Sequence, residues 1–80
     1  MISKYELTKT LRQKIKNHEI TIGSWLQSPD PESAEIMSCS GYDWLVIDTE
    51  HGSISHNQIP NICRAIELSG TLPLVRVFDG

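Results

Sequence analysis

Hydrophobic residues along the chain alternate between helical and strand-like spacing. Leu7, Leu11 and Ile15 recur every four residues among lysines, which predicts an amphipathic first helix, within residues 1–18, whose apolar stripe faces a core. The stretch Thr21–Leu26 that follows is interpreted as a short β-strand. The pattern therefore begins with a helix and a strand.

The residues after this strand predict a second helix with defined ends. Asp30 can cap its amino end, Pro31 suits its first position, and Glu32 lies where the helix dipole favours an anion. Gly41 fits the left-handed residue that commonly follows a helix. The residues expected on the inward side of this helix are Ala34, Met37 and Cys39.

Two more strands and a third helix complete the pattern. The continuous apolar run Trp44–Ile47 is typical of a strand covered on both faces, with Trp44 packed between the sheet and a helix. A helix over residues 55–69 and a strand over Leu72–Val77 follow, with Gly70 between them. The inward stripe of that helix is Ile59, Ile62, Cys63 and Ile66.

The start of the third helix admits two interpretations. Ser55 and Gln58 have the spacing of a capping box. In that case Pro60 falls beyond the first turn and removes a hydrogen bond. If Asn57 caps the helix instead, Pro60 lies within the first turn at little cost.

The alternation of strands and helices predicts an α/β fold with a parallel sheet. We interpret residues 1–18 as an N-terminal helix and residues 19–80 as a βαβαβ segment of one partial domain. This is about three of the eight units of a (β/α)8 TIM barrel, which needs roughly 250 residues in all. The alternative is a small open sandwich whose first helix covers a sheet edge.

Composition and charge narrow the classes of function. The 80-residue chain carries a formal net charge of −3, which argues against a nucleic-acid binder that acts through a net basic field. The basic residues concentrate in residues 1–18, where a solvated helix face accounts for them. No apolar run approaches the roughly 20 residues of a membrane span, so no membrane partner is expected. Cys39 and Cys63 form no metal or disulfide pattern, which favours the cytoplasm.

Chemically competent residues cluster at the predicted carboxyl ends of the strands. Trp25 lies at the end of the first strand, Asp48, Glu50 and His51 follow the second, and Arg76 lies in the third. In a parallel barrel these ends meet where active sites lie. His51 can act as a general base near neutral pH, and Arg76 offers donors to a carboxylate or an enolate oxygen. The set suits proton abstraction next to a carbonyl.

The same residues also have structural interpretations. The segment from Asp48 to His51 could be a solvated loop that caps the next helix. Arg76 could pair with a neighbouring strand, because an unpaired guanidinium is costly to bury. Trp25 could be rim packing.

Four motifs, spread over residues 8–78, resemble those of the HpcH/HpaI aldolases. They are Leu11-Arg12-Gln13-Lys14, Gly23-Ser24-Trp25-Leu26, Gly41-Tyr42-Asp43-Trp44-Leu45-Val46-Ile47-Asp48-Thr49-Glu50-His51-Gly52 and Pro73-Leu74-Val75-Arg76-Val77. The resemblance implies a (β/α) barrel and a class II aldolase that uses Mg²⁺, Mn²⁺ or Co²⁺. Such enzymes reversibly cleave a 4-hydroxy-2-oxoacid to pyruvate and an aldehyde.

The resemblance also implies a role for each of the clustered residues. His51 matches the catalytic base, and Arg76 matches the arginine that binds substrate and stabilises the enolate-like transition state at the 2-oxo oxygen. Asp48 and Glu50 match acidic residues that lie near the metal without ligating it. Trp25 matches an aromatic residue beside the substrate.

The family's metal ligands, a Glu and an Asp on later strands, have no counterpart up to Gly80. We therefore expect no metal ligands in this chain and little or no aldolase activity from it alone. The implied partners are a small oxoacid, an aldehyde and, by analogy with the family, further copies of the full-length chain. Two alternatives stay open, an acyl-CoA lyase on a related barrel and a non-catalytic truncated remnant.

Overall fold

A computed structural model describes residues 3–50 and 54–76, in which helices and strands alternate as predicted. In chain order the elements are α1 (Lys4–Lys16), β1 (Gly23–Leu26), α2 (Pro31–Ser38), β2 (Trp44–Asp48), a 3₁₀ turn (His56–Gln58), α3 (Ile59–Glu67) and β3 (Leu72–Arg76). The first strand begins at Gly23 rather than at Thr21. Val77, predicted to end the third strand, lies outside the described residues.

The three strands form a parallel sheet in the order β1-β2-β3. The register pairs Gly23 with Trp44 near one end of the sheet and Asp48 with Arg76 at the other. Parallel neighbours need a crossover connection, which α2 supplies between β1 and β2 and α3 supplies between β2 and β3. The predicted α/β fold with a parallel sheet is thereby confirmed.

The core lies between one face of this sheet and the helices α2 and α3. Because side chains alternate along a strand, Leu45 and Ile47 of β2 point to this face together with Leu26 of β1, and all three are buried. The helices and the turn before α3 cover them with Ala34, Ile54, Ile62, Ala65 and Ile66. The opposite face of β2 carries Trp44, Val46 and Asp48.

A short 3₁₀ turn reconciles the two interpretations of the third helix. The Gln58 Oε1 atom accepts a hydrogen bond from the Ser55 N–H at 2.8 Å, as the capping box predicts. The α-helix itself begins only at Ile59, so Pro60 lies in its first turn, where no backbone donor is needed. Asn57 lies inside the 3₁₀ turn and does not cap α3.

The ends of α2 confirm the predicted cap and correct one inward residue. Asp30 accepts from the Glu32 N–H at 3.0 Å through Oδ1, and Gly41 has a φ of 90°. The helix stops at Ser38, so Cys39 falls off its inward stripe and is exposed. The prediction that Cys39 is a core residue was therefore wrong.

The apolar stripe of α1 is less covered than its periodicity predicts. Leu7 and Leu11 are half-buried, and Ile15 is 61% exposed. The helix is held by polar contacts instead, since Lys4 pairs with Glu67 at 3.2 Å and Lys14 pairs with Asp43. The expectation of a core contact along the whole stripe was wrong at Ile15.

Trp44 also lies elsewhere than predicted. Strand alternation places it on the face opposite α2 and α3, where its indole lies over Gly23. A Cβ atom at Gly23 would lie 2.0 Å from the nearest ring atom, so only glycine leaves the indole room. Trp44 thus packs on the neighbouring strand and not between the sheet and its two crossover helices.

Asp43 ties three elements together at the amino end of the sheet. Its carboxylate accepts from the Lys14 ammonium and from the Ile22 N–H, both at 2.8 Å, and its carbonyl accepts from the Leu72 N–H at 3.3 Å. The hydrogen bond from Lys14, with that from Ile22, lowers the pKa of Asp43. The same contact raises the pKa of Lys14. These bonds fix the end of the sheet remote from the predicted site.

Across the described part of the chain, none of the helices combines the length and the apolar character that crossing a membrane requires.

Candidate active site

The carboxyl ends of the three strands bring together five polar or aromatic side chains, which we call the rim cluster. Its members are Trp25, Gln27, Asp48, Glu50 and Arg76. Asp48 and Arg76 are partners in the register of β2 and β3, and Trp25 on β1 lies two register positions closer to the amino end, opposite Val46. Parallel strands end on the same side of a sheet, so residues remote in sequence meet here.

An ion pair between neighbouring strands is the centre of the rim cluster. Arg76 donates from Nε to Asp48 Oδ1 at 3.2 Å and from Nη2 to Asp48 Oδ2 at 2.9 Å. The Asp48 side chain is only 1% exposed, whereas that of Arg76 is 33% exposed. This two-point contact fixes the plane of the guanidinium, because a planar fork meets a planar carboxylate.

Two further groups surround the buried carboxylate of Asp48. The Glu50 N–H donates to Oδ1 at 2.9 Å, and the Gln27 side-chain amide donates to Oδ2 at 3.3 Å. The Glu50 carboxylate in turn lies 3.6 Å from Arg76 Nε. Donors from all three strand ends thus converge on one carboxylate, as a buried charge requires.

The indole of Trp25 lies against the guanidinium of Arg76. The distance from Arg76 Cζ to the ring centroid is 4.8 Å, within the range of a cation–π contact. The Trp25 side chain remains 48% exposed. Trp25 therefore supports Arg76 on one side and still presents aromatic surface to whatever approaches the rim cluster.

The structure brings together four of the five residues singled out from the sequence. Trp25, Asp48, Glu50 and Arg76 all belong to the rim cluster, whereas His51 lies outside the described residues. The structural interpretation of Arg76 also holds, since it pairs with the neighbouring strand. His18 and His56, the two histidines that the structure describes, are both exposed.

Sequence reasoning gave no role to Gln27 or Thr49. Gln27 directly follows the first strand and donates to Asp48, while the Thr49 hydroxyl donates to the Arg76 carbonyl oxygen at 2.6 Å. Their position at strand ends was a signal, but the strand register that brings them to these partners was not predicted. Both become visible only when β1, β2 and β3 are aligned.

The rim cluster does not fit a metal site. Its two carboxylates, Asp48 and Glu50, both face the guanidinium of Arg76. Within residues 3–50 and 54–76, no three side chains of His, Cys, Asp or Glu lie close enough together to hold a metal ion.

Two cavities lie away from the rim cluster. One of about 650 Å³ follows α1, and one of about 180 Å³ lies between α1 and the segment of Tyr42 and Asp43. The larger cavity contains no carboxylate and no histidine among its described lining residues. We therefore assign the candidate site from the chemistry of the converging side chains and not from cavity size.

A family model covers the strands and helices that build this geometry. The model described as HpcH/HpaI aldolase/citrate lyase matches residues 21–79, which include every member of the rim cluster. The chain belongs to this family. The resemblance inferred from the four sequence motifs is thereby confirmed.

Relatives within the HpcH/HpaI family carry aldolase names. The chain is 36% identical over 63 residues to 2-dehydro-3,6-dideoxy-6-sulfogluconate aldolase of Pseudomonas putida, covering 79% of this chain and 25% of that protein. It is 34% identical over 74 residues to 2-keto-3-deoxy-L-rhamnonate aldolase of Escherichia coli, covering 92% and 28%. The chain thus spans about a quarter of the length of these relatives.

Solved structures of the family superpose on the chain. The citrate synthase SbnG matches with a TM-score of 0.74 and 37% identity, over 84% of this chain and 27% of that one. An HpcH/HpaI aldolase/citrate lyase family protein from Burkholderia cenocepacia matches with a TM-score of 0.72 and 31% identity, over 85% and 28%. The sheet and helices described above correspond to part of these barrel-type proteins.

Proposed function

We propose that the rim cluster is part of the active site of an aldolase that reversibly cleaves a 4-hydroxy-2-oxoacid to pyruvate and an aldehyde. The main observation in support is the fixed orientation of the Arg76 guanidinium, which donates two hydrogen bonds to Asp48 and lies against the indole of Trp25. The family and its aldolase relatives support it. The proposed substrates are therefore small oxoacids and aldehydes, and the proposed location is the cytoplasm.

The chemistry assigned to this site is the breaking of one carbon–carbon bond. A base takes the proton of the 4-hydroxyl group, the C3–C4 bond breaks, and the aldehyde leaves. The electron pair of that bond becomes the enolate of pyruvate, which then takes a proton at C3. We assign the base to His51, because imidazole exchanges protons near neutral pH.

Arg76 is assigned to the oxygen on which negative charge grows. A guanidinium keeps its charge at all working pH values and presents several N–H donors in a fixed plane. Because Asp48 already holds that plane, little reorganisation is needed when the enolate forms. Trp25 would form an apolar wall beside the substrate, with half of its surface still exposed.

We also propose that the reaction depends on a divalent cation, which the rim cluster itself does not bind. Such a cation, if bound, would supply further stabilisation of negative charge. Its ligands are not found among the described residues. Because the chain spans about a quarter of the length of its aldolase relatives, we propose that full turnover needs structure beyond what this chain shares with them.

A second candidate shares the enolate but forms a bond with it. The match to structures of a citrate synthase, at 37% identity, favours a condensing enzyme in which the enolate attacks an oxoacid carbonyl. Both candidates require stabilisation of an enolate by Arg76. They differ in products, because only the condensing reaction consumes an oxoacid to yield a tricarboxylate.

The proposal is tested with pyruvate, first by binding and then by proton exchange. Pyruvate is titrated into the ¹⁵N-labelled 80-residue chain, with acetate as the control anion, while the Arg76 and Trp25 side-chain signals are followed by NMR. We expect saturable shifts at both residues with pyruvate and weaker ones with acetate. Shifts spread evenly over the basic residues of α1, with none at Arg76, would refute the assignment.

Loss of the pyruvate methyl protons is then followed in D₂O with Mn²⁺, against Mn²⁺ alone and against chelator. From the 80-residue chain we expect neither exchange above both backgrounds nor cleavage of a 4-hydroxy-2-oxoacid at aldolase rates, because its described residues hold no metal site. A form that also spans the remaining length of the aldolase relatives should catalyse both. Rapid cleavage by the isolated chain would contradict the view that turnover needs more structure. Formation of citrate from oxaloacetate, an acetyl thioester and water, with release of the free thiol, would favour the second candidate.

A further inference from the structure

Thr49 joins the ends of β2 and β3 through a single side-chain hydrogen bond. Its hydroxyl donates to the carbonyl oxygen of Arg76 at 2.6 Å, between residues that are 27 positions apart. Thr49 directly follows Asp48, the last residue of β2, and it is half-buried. The bond therefore extends the contact between the two strands beyond their last paired residues.

Two consecutive residues, Asp48 at the end of β2 and Thr49 directly after it, therefore hold Arg76 at two points. Asp48 holds the guanidinium, and Thr49 holds the backbone carbonyl. Among the described strands β3 pairs with β2 alone, so within the described sheet the backbone at its end is held from the β2 side. A shift of that end would move the Cα atom from which the Arg76 side chain extends.

The remaining contacts of Arg76 show why its backbone matters. Two hydrogen bonds to one carboxylate and a stacking distance of 4.8 Å to Trp25 must be met at once. Such a combination tolerates little displacement, because hydrogen bonds weaken steeply with distance and angle. A backbone anchor at the same residue reduces the displacement.

We propose that Thr49 is a positioning residue for Arg76, which acts by anchoring the end of β3 so that the guanidinium stays on Asp48 and against Trp25. The expected effect of Thr49 on substrate binding rests on the proposed function, in which Arg76 binds the oxoacid. The anchoring itself does not rest on that function and can be tested without substrate.

The test compares three variants of the 80-residue chain. Thr49→Val removes the hydroxyl and keeps the shape, and Thr49→Ser restores a hydroxyl. Thr8→Val is the matched control, because the Thr8 hydroxyl donates to the Lys4 carbonyl at 2.9 Å on exposed α1, far along the chain from Arg76. Exchange of the Arg76 Nε proton with solvent is measured by ¹⁵N NMR, its signal being identified by its loss in Arg76→Lys.

We expect Thr49→Val to accelerate exchange of the Arg76 Nε proton by roughly three- to tenfold, as loss of one hydrogen bond allows. The Leu45 and Ile47 amides of central β2 should keep their exchange rates. Thr49→Ser and Thr8→Val should stay within about twofold of the unmodified chain. If Thr49→Val does not fold, Thr49→Ala against Thr49→Ser gives the same comparison.

Two results would overturn the inference. One is an unchanged Arg76 Nε exchange rate in Thr49→Val. The other is equal acceleration of that proton and the β2 amides, which would mean general destabilisation. Pyruvate is then titrated into the same variants. If Thr49→Val accelerates exchange of the Arg76 Nε proton but the chain does not bind pyruvate, the anchoring is supported and the proposed function is rejected. If pyruvate binds equally well to the unmodified chain and to Thr49→Val, the proposed function stands and the positioning role is rejected.

Discussion

Arg76 and Asp48 face each other at the ends of adjacent parallel strands and share two hydrogen bonds, of 3.2 and 2.9 Å. The carboxylate is almost fully buried, and the guanidinium is one-third exposed. Arg76 therefore serves both the strand pairing and the candidate site, since the contact that neutralises Asp48 also orients the guanidinium.

Replacing Arg76 with leucine should destabilise the chain by about 2 kcal/mol or more, because Asp48 would be left as a buried charge without its main counter-ion. Arg76→Lys should cost less, since the charge remains although the two-point contact is lost. Urea denaturation of both variants measures these differences. The control is Arg64→Leu, because exposed Arg64 bonds locally to Asn61, on the same helix, among the residues that the structure describes. Equal stability of the Arg76→Leu and Arg64→Leu chains would contradict the prediction.

Replacing His51 with alanine should slow cleavage of a 4-hydroxy-2-oxoacid by about 10²- to 10⁴-fold, the usual cost of losing a general base. The measurement requires a form of the protein that catalyses the cleavage. His56→Ala is the control, since His56 is exposed in the 3₁₀ turn and should have no role. Cleavage within threefold of the unmodified protein would exclude His51 as the base.

Periodicity predicted the order of the elements because each buried face leaves its own spacing in the sequence. The stripe of α3 is an example, since Ile62 and Ile66 fall one turn apart and are both fully buried. The same reasoning failed at Ile15 of α1. A stripe shows that a face is apolar, but it does not show how far the neighbouring surface extends along it.

The candidate site was predictable to the extent that it follows from topology. Trp25, Asp48 and Arg76 meet because parallel strands end on one side, which the sequence order alone implies. The contacts of Gln27 and Thr49 were not predictable in this way. They depend on the register between strands, and a slip of one residue would turn each side chain to the other face.

Replacing Gly23 with alanine should destabilise the chain by about 1 to 3 kcal/mol, because the added methyl group would overlap the indole of Trp44 and force it to move. Urea denaturation measures the loss. In a chain that carries Trp44→Leu, the same replacement should cost much less, since the overlapping ring is gone. An equal cost in both backgrounds would show that the methyl group meets something other than the indole.

The contribution of Asp43 to stability should depend on pH. Contact with Lys14 and the Ile22 N–H lowers the pKa of Asp43 in the folded chain, so its ionised form stabilises folding above the ordinary pKa of about 4. This contribution is lost as the pH falls through the lower folded pKa. The free energy of unfolding should therefore differ between the unmodified chain and Asp43→Asn at pH 7, and the difference should shrink towards pH 3.

Exposed Glu35, replaced by glutamine, is the control for this pH series, because its side chain should contribute little at any pH. The result that would contradict the prediction is a difference between the unmodified chain and Asp43→Asn that stays constant from pH 7 to pH 3. It would show that the carboxylate acts through shape rather than through charge.

The two cysteines should react at different rates with a thiol reagent. Cys39 is exposed at the end of α2, whereas Cys63 is half-buried against the core, and burial raises the pKa of its thiol. A higher pKa leaves less thiolate at pH 8, and burial also limits access, so both effects slow the reaction of Cys63.

Mass spectrometry after brief alkylation should find Cys39 modified first. Cys39→Ser should remove the fast phase, while Cys63→Ser should leave it unchanged. A fast phase that survives in the Cys39→Ser chain would place Cys63 at the surface and contradict its packing against the core.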